Sequence, residues 1–275
     1  MWTIYFHNLK EAKTFYRYVQ AKSLLLFVKW SPIDVLHIEV SKKRDALTSE
    51  AVKEIALGLA KVFVTHKEYQ MIRTILGESY YFTEEHEVDR ITAISLAILN
   101  KDEDIYEASI HKHELHDTLQ MIFYYNIEST SIDFDSIVRF RMHLYQEHLI
   151  QIIGMAIDEF KREEDYQLFL QSIREFLQRR PPEIETLHIL QGNPFIFYYE
   201  NGKRISVKEM NELLCHTPLY LFGLESNEKN LSPFLALAPK KVIIYGEDPT
   251  EAKTQNILNI FEENAKFSSL EAFPF

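Results

Sequence analysis

A single cysteine, Cys215, stands in 275 residues. One thiol excludes an internal disulfide and any zinc cage built on several cysteines, and it fits a reducing compartment. Glycine and proline are also scarce, at 7 and 9. That scarcity argues against collagen-like or linker-dominated chains and favours long helices over many tight turns. No run of about 18 uninterrupted apolar residues occurs, so no membrane span is expected. The opening MWTIYFHNLKEAKTF has neither the basic leader nor the apolar run of a secretory signal. A cytoplasmic protein is the expectation. Basic excess is missing as well. The formal charge is −11, with the acidic surplus spread over both halves. Phosphate neutralisation drives most nucleic-acid binding, so this balance argues against a nucleic-acid partner.

What is present is core material: 46% apolar residues, with 15 Tyr and 19 Phe. The first six residues read as a short strand, Lys10 to about Leu26 as a helix, and VLHIEV (35–40) as a strand with one buried side. Helices follow. One opens at Thr48–Ser49–Glu50 and carries Ile55, Leu59, Val62, Phe63, Tyr69, Ile72 and Leu76 down to Gly77; one starts near Thr83; one covers about 104–125. The polar stretch NIESTSIDFDS (126–136) reads as a boundary. Beyond it, two helical runs are expected, Val138 to Phe160 and Tyr166 to Phe176, closed by Pro181–Pro182. TLHIL, QGNP and FIFYY then give the clearest strand signal, with Asn201–Gly202 as the tight hairpin turn from FIFYY into a short RIS, and a terminal strand lies at Val242–Tyr245. The fold class expected is α+β and predominantly helical. A β-α-β and helical part occupies 1–128, and a helix pair, β-hairpin and terminal strand occupy 131–275.

Three stretches in the second half carry a likeness. IVRFRMHLY (137–145), EEDYQLFLQSIREFLQ (163–178) and LSPFLALAPKKVIIY (231–245) occur in that order, with the ENGKRI turn between them. In this ordered set the chain resembles the YtxC-like family over most of 131–260, matching its Phe-Arg helix at Phe140, Arg141 and Tyr145. Arg139 and the cysteine-free tail KFSSLEAFPF depart from the family pattern. The resemblance implies a role connected with sporulation and brings no catalytic residues with it.

The most site-like run is IHKHELHDTL (110–119). On a helix, His113, His116 and Asp117 share a face, which makes a three-ligand metal patch geometrically allowed. Glu114 stands only two before His116, so the His-Glu-x-x-His arrangement of zinc proteases is absent. The simpler reading is a solvated helix face. Arg141, with Tyr145 four residues on and His148 seven on, suggests a polar ridge, either a structural clamp between helices or an anion-binding arginine in a cleft. The clamp is preferred, since no glycine-rich phosphate loop accompanies it. Lys240, Lys241 and Tyr198 are candidate contacts for a protein partner. Cys215 beside His216 reads as a buried small apolar residue, because neighbours in sequence do not converge as a catalytic pair does. No Gly-x-Ser-x-Gly elbow exists.

The leading expectation is a cytosolic, sporulation-associated, non-catalytic interaction protein with another protein as partner and no cofactor. The alternative is a metal-dependent hydrolase or anion-binding enzyme using His113, His116 and Asp117 or a cleft at Arg141.

Overall fold

A computed structural model describes residues 1–30, 37–44, 46–100, 106–127, 130–223 and 230–275, without the side chains of 106–114. The chain divides into two compact units, Met1–Lys161 and Arg162–Phe275.

The first unit is built on a four-stranded sheet: β1 (Trp2–Tyr5), β2 (Leu26–Trp30), β3 (His37–Lys42) and β4 (Ser131–Asp133), in the order β2-β3-β1-β4. β1 runs antiparallel to β3, pairing Ile4 with Ile38, and parallel to β4, pairing Ile4 with Ile132. These three isoleucines are almost wholly buried on one face, as the period-2 alternation of a half-covered sheet requires. Between β1 and β2 runs α1 (Leu9–Lys22), started by Asn8, whose side chain accepts from the Lys10 N–H at 2.9 Å. It buries Ala12, Phe15 and Val19. α2 (Thr48–His66) meets it at Gly58, where a Cβ would come within 2.7 Å of the Phe15 ring. The bare glycine permits that approach. α3 (Glu68–Ser79), α4 (Glu85–Asn100), α5 (Tyr106–Tyr125) and the short α6 (Phe134–Phe140) complete the unit with the first part of α7 (His143–Gln178).

The second unit carries the remainder of α7 and a second sheet of β5 (Ile184–Leu190), β6 (Ile196–Tyr199), β7 (Pro239–Gly246) and β8 (Ala265–Ser269), ordered β6-β5-β7-β8. β5, β7 and β8 are parallel, while β6 returns antiparallel as the hairpin partner of β5. Leu187, Ile189, Phe197, Val242 and Ile244 share one face and pack with Leu170 and Ile173 of α7 and with Phe234 and Ile257. The last two come from α9 (Ser232–Leu237) and α10 (Ala252–Phe261). α8 (Val207–Cys215) begins where the Ser206 hydroxyl accepts the Glu209 N–H at 3.2 Å.

The α+β, mainly helical expectation agrees with this architecture, but several details differ. The helix expected to run to Leu26 stops at Lys22, and Leu26–Trp30 forms β2. Its apolar run LLLFV conceals the alternation, for Leu26 is buried while Phe27 and Lys29 face out. One helix expected over 48–77 is two, broken at Lys67. The expected helix pair is instead one continuous 36-residue helix, α7, preceded by α6. The compact units divide at 161/162. The polar stretch taken for a boundary contains β4 and the start of α6, and backbone pairing with β1 ties it into the first unit. VLHIEV falls partly outside the described residues, and its described part is β3.

Candidate functional site

A group of charged side chains in the first unit gathers at the carboxyl ends of the parallel strands β1 and β4. β1 leads into His7 and Asn8, and β4 into Asp133 and Asp135. The α2–α3 break adds Lys67, and the first turn of α1 adds Glu11. Lys67 Nζ lies 3.0 Å from Glu11 Oε1 and 2.8 Å from Asp135 Oδ1. Burial disfavours its charge, but the hydrogen bonds it donates to Asp135 and Glu11, with the negative charges of both, outweigh that and raise the ammonium above its ordinary range. Glu11 is 2% exposed, and its Oε2 has no hydrogen-bond partner. His7 sits outside this pair, its ring nitrogens 3.3 Å from Asp133 and 3.7 Å from Asp135. Burial opposes ionisation of Asp133, yet the Ser136 N–H it caps and the nearby His7 hold its carboxyl below the usual range. The result is an ion network, richer in carboxylates than in cations, that joins α1, the α2–α3 joint and α6. Its members are scattered over 130 residues of sequence, with no spacing rule linking them.

A second buried pair lies one residue further. Tyr145 of α7 is 1% exposed, donates its hydroxyl to Glu68 at the start of α3, and meets Phe63 edge-on at 5.0 Å. Burial raises the Glu68 carboxyl, partly countered by the Tyr145 hydrogen bond and by Lys61; burial and the adjacent Glu68 raise the tyrosine hydroxyl.

Arg141 is not part of this pair. The expected ridge needs one helix through 137–148, but α6 ends at Phe140 and α7 begins at His143, so Arg141 sits at the joint as the residue closing α6. It is exposed, whereas Tyr145 points into the core. The two residues are separated by the break between the helices.

Of the histidine cluster, the His113 side chain lies outside the described residues. His116 and Asp117 are exposed on α5, and the His116 ring is 2.7 Å from the Gln120 amide. Beside them, Gln120, Met121 and Tyr124 face Ser49, Glu50 and Lys53 across an open groove of about 330 Å³. Among the described residues, no group of three or more His, Cys, Asp or Glu side chains is placed to hold a metal ion.

In the second unit, the sheet face turned away from the core carries His188, Tyr198 and Tyr245. The His188 ring stacks on Tyr245, with Nδ1 2.9 Å from its hydroxyl. Phe273 packs on Tyr198 and Tyr245, and Phe275 meets His188 edge-on at 5.2 Å. Tyr198 is therefore partly covered from within its own unit. Of the other expected partner contacts, Lys240 is exposed and paired with Glu185 at 3.0 Å, and Lys241 is exposed. Cys215, read as a buried apolar residue, is exposed at the last turn of α8, because Leu214 takes the inward position there.

A family model described as the YtxC-like family matches residues 53–266, beginning well upstream of the stretch whose likeness is legible by eye. The chain is 26% identical over 223 residues to "Uncharacterized protein YtxC" of Bacillus subtilis (strain 168), covering 78% of this chain and 76% of that protein. No solved structure matches.

Proposed function

The chain belongs to the YtxC-like family, and from that premise we propose that it is a cytoplasmic, sporulation-associated protein that works by binding another protein and not by catalysis. The observation that carries this reading is how the buried and half-buried ionisable groups are used. Lys67 is neutralised by Glu11 and Asp135, Glu68 is bound by Tyr145, and His188 is held by Tyr245. Perturbed groups lining a cleft point to chemistry; perturbed groups tied to one another inside a core point to structure. No helix among the described residues is long and apolar enough to cross a membrane, and the charge of −11 sets the surface against nucleic acid. The link to sporulation rests on family membership alone.

The test is affinity capture of the tagged chain from sporulating cells, followed by reconstitution with the purified partner. A one-to-one complex formed from pure components is the expected result. Turnover by the folded chain that disappears in Arg141→Ala, or stoichiometric metal lost in His116→Ala, overturns it.

A further inference from the structure

The joint between α6 and α7 presents a surface that the ion network and the core leave unused. Met142 alone in this stretch turns inward, at 2% exposure. Around it Arg139, Phe140, Arg141, His143 and Leu144 all stand exposed, with Phe140 showing 68% of its surface and Leu144 48%. The Arg139 guanidinium carbon lies 5.7 Å from the Phe140 ring centroid, so this cation leans on an aromatic face. The first acid along α7 is Glu147, also exposed. Two arginines and two large apolar residues are thus exposed within six consecutive positions, on a chain whose net charge is −11.

Single exposed apolar residues need no explanation, but exposed arginine, aromatic and aliphatic side chains gathered at one joint have the composition of a contact centre between proteins. We propose that this corner docks an acidic segment of a partner protein. Carboxylates of that segment take the forked donors of Arg139 and Arg141, and an apolar side chain covers Phe140 and Leu144. The inference rests on the interaction reading above and names its surface. An anionic lipid surface offers the same charge but fits less well. Only two apolar side chains are available to enter it, and the acidic remainder of the chain is repelled from it.

The experiment uses the full chain with the photoreactive Phe140→p-benzoylphenylalanine, illuminated in extract of sporulating cells. The same substitution at Tyr220, 78% exposed in the other unit, serves as the control. The expected result is a discrete adduct at position 140 whose cross-linked partner peptide contains Asp or Glu. Its yield falls about tenfold in Arg139→Glu/Arg141→Glu, falls less in Arg139→Gln/Arg141→Gln, and recovers when the partner's acids are changed to lysine. Both arginines are exposed, so circular dichroism and the melting temperature should match the parent.

No adduct above the Tyr220 control, or an adduct indifferent to charge reversal, overturns the proposal. So does co-sedimentation with phosphatidylcholine–phosphatidylglycerol vesicles that is lost on charge reversal, which would assign the corner to a membrane surface. A partner still captured by the charge-reversed chain sinks this inference and leaves the interaction reading standing. Turnover sinks that reading instead.

Discussion

The hydroxyl of Tyr145, on α7, donates to the carboxylate of Glu68, at the start of α3, and neither residue is more than 5% exposed. These residues stand 77 apart in sequence, so the bond helps hold the long helix against the helical layer of the first unit. Tyr145→Phe leaves a buried carboxyl without its donor and should destabilise by about 1–3 kcal/mol in urea unfolding. Glu68→Gln/Tyr145→Phe should cost less than the sum of the single changes. A loss below about 0.5 kcal/mol in Tyr145→Phe would show the bond to be incidental.

The same pair sets a pH dependence. Burial raises the Glu68 carboxyl, so the unfolded chain releases this proton first as pH rises. The contribution of Glu68 to stability is full below the ordinary glutamate value of about 4.3 and is lost as pH climbs through the raised folded value. Glu68→Gln removes that slope. Its unfolding free energy should gain on the parent between about pH 4 and pH 7; a constant difference across that range would contradict the assignment.

Lys67→Met removes the cation that Glu11 and Asp135 share. Glu11, almost fully buried, is left as an uncompensated charge. A loss of about 3 kcal/mol is expected, at the low end for buried pairs because Lys67 itself is partly exposed. Adding Glu11→Leu should recover much of it. If the double variant is as unstable as the single, the network is not what holds the α2–α3 joint.

His188 carries the opposite sign of linkage. Burial lowers its folded pKa, partly offset by Glu200. Its neutral form therefore supports stability above the unfolded value of about 6.5, and that support is lost as pH falls towards the lowered folded value. Protonation puts a charge between Tyr245 and Phe275. The urea midpoint of the second unit should drop between about pH 7.5 and pH 5, and the drop should shrink in His188→Gln. Equal slopes in parent and variant would remove His188 from the explanation.

Gly202 combines two constraints. Its φ is +80°, and a Cβ there would lie 2.6 Å from the Phe275 ring. Gly202→Ala should cost about 1–2 kcal/mol and move the Phe275 ring off His188. That movement would be visible as chemical-shift changes of the His188 ring protons; unchanged shifts would mean the ring tolerates the methyl group.

Much of the architecture was readable from local pattern. The helix start at Thr48, the strands β5 and β6, and the apolar periodicity of α2 and α7 agree with the elements found, because each depends on neighbours within a few residues. β4 and β8 were not readable. Each is short and exists through pairing, β4 with β1 and β8 with β7, and sequence separations of about 130 and 20 residues leave no local trace. Candidate residues divided in the same way. Arg141 and Tyr145 are four apart and looked like one ridge, but the helix breaks at 141–142 and sends them to different surroundings. The ion network of Glu11, Lys67 and Asp135 was missed, because lone charges in sequence resemble any solvated face until folding brings them within 3 Å.

The amino-acid order alone determined the class, the helical bias, the acidic balance and the family likeness, since these follow from composition and short-range periodicity. Which charges became buried partners, which cations stayed at the surface beside Phe140, and where one unit gives way to the next were decided only in three dimensions. Burial and pairing are properties of residues distant in sequence, and the free energy of an ionisable group is set by what surrounds it and not by its place in the chain.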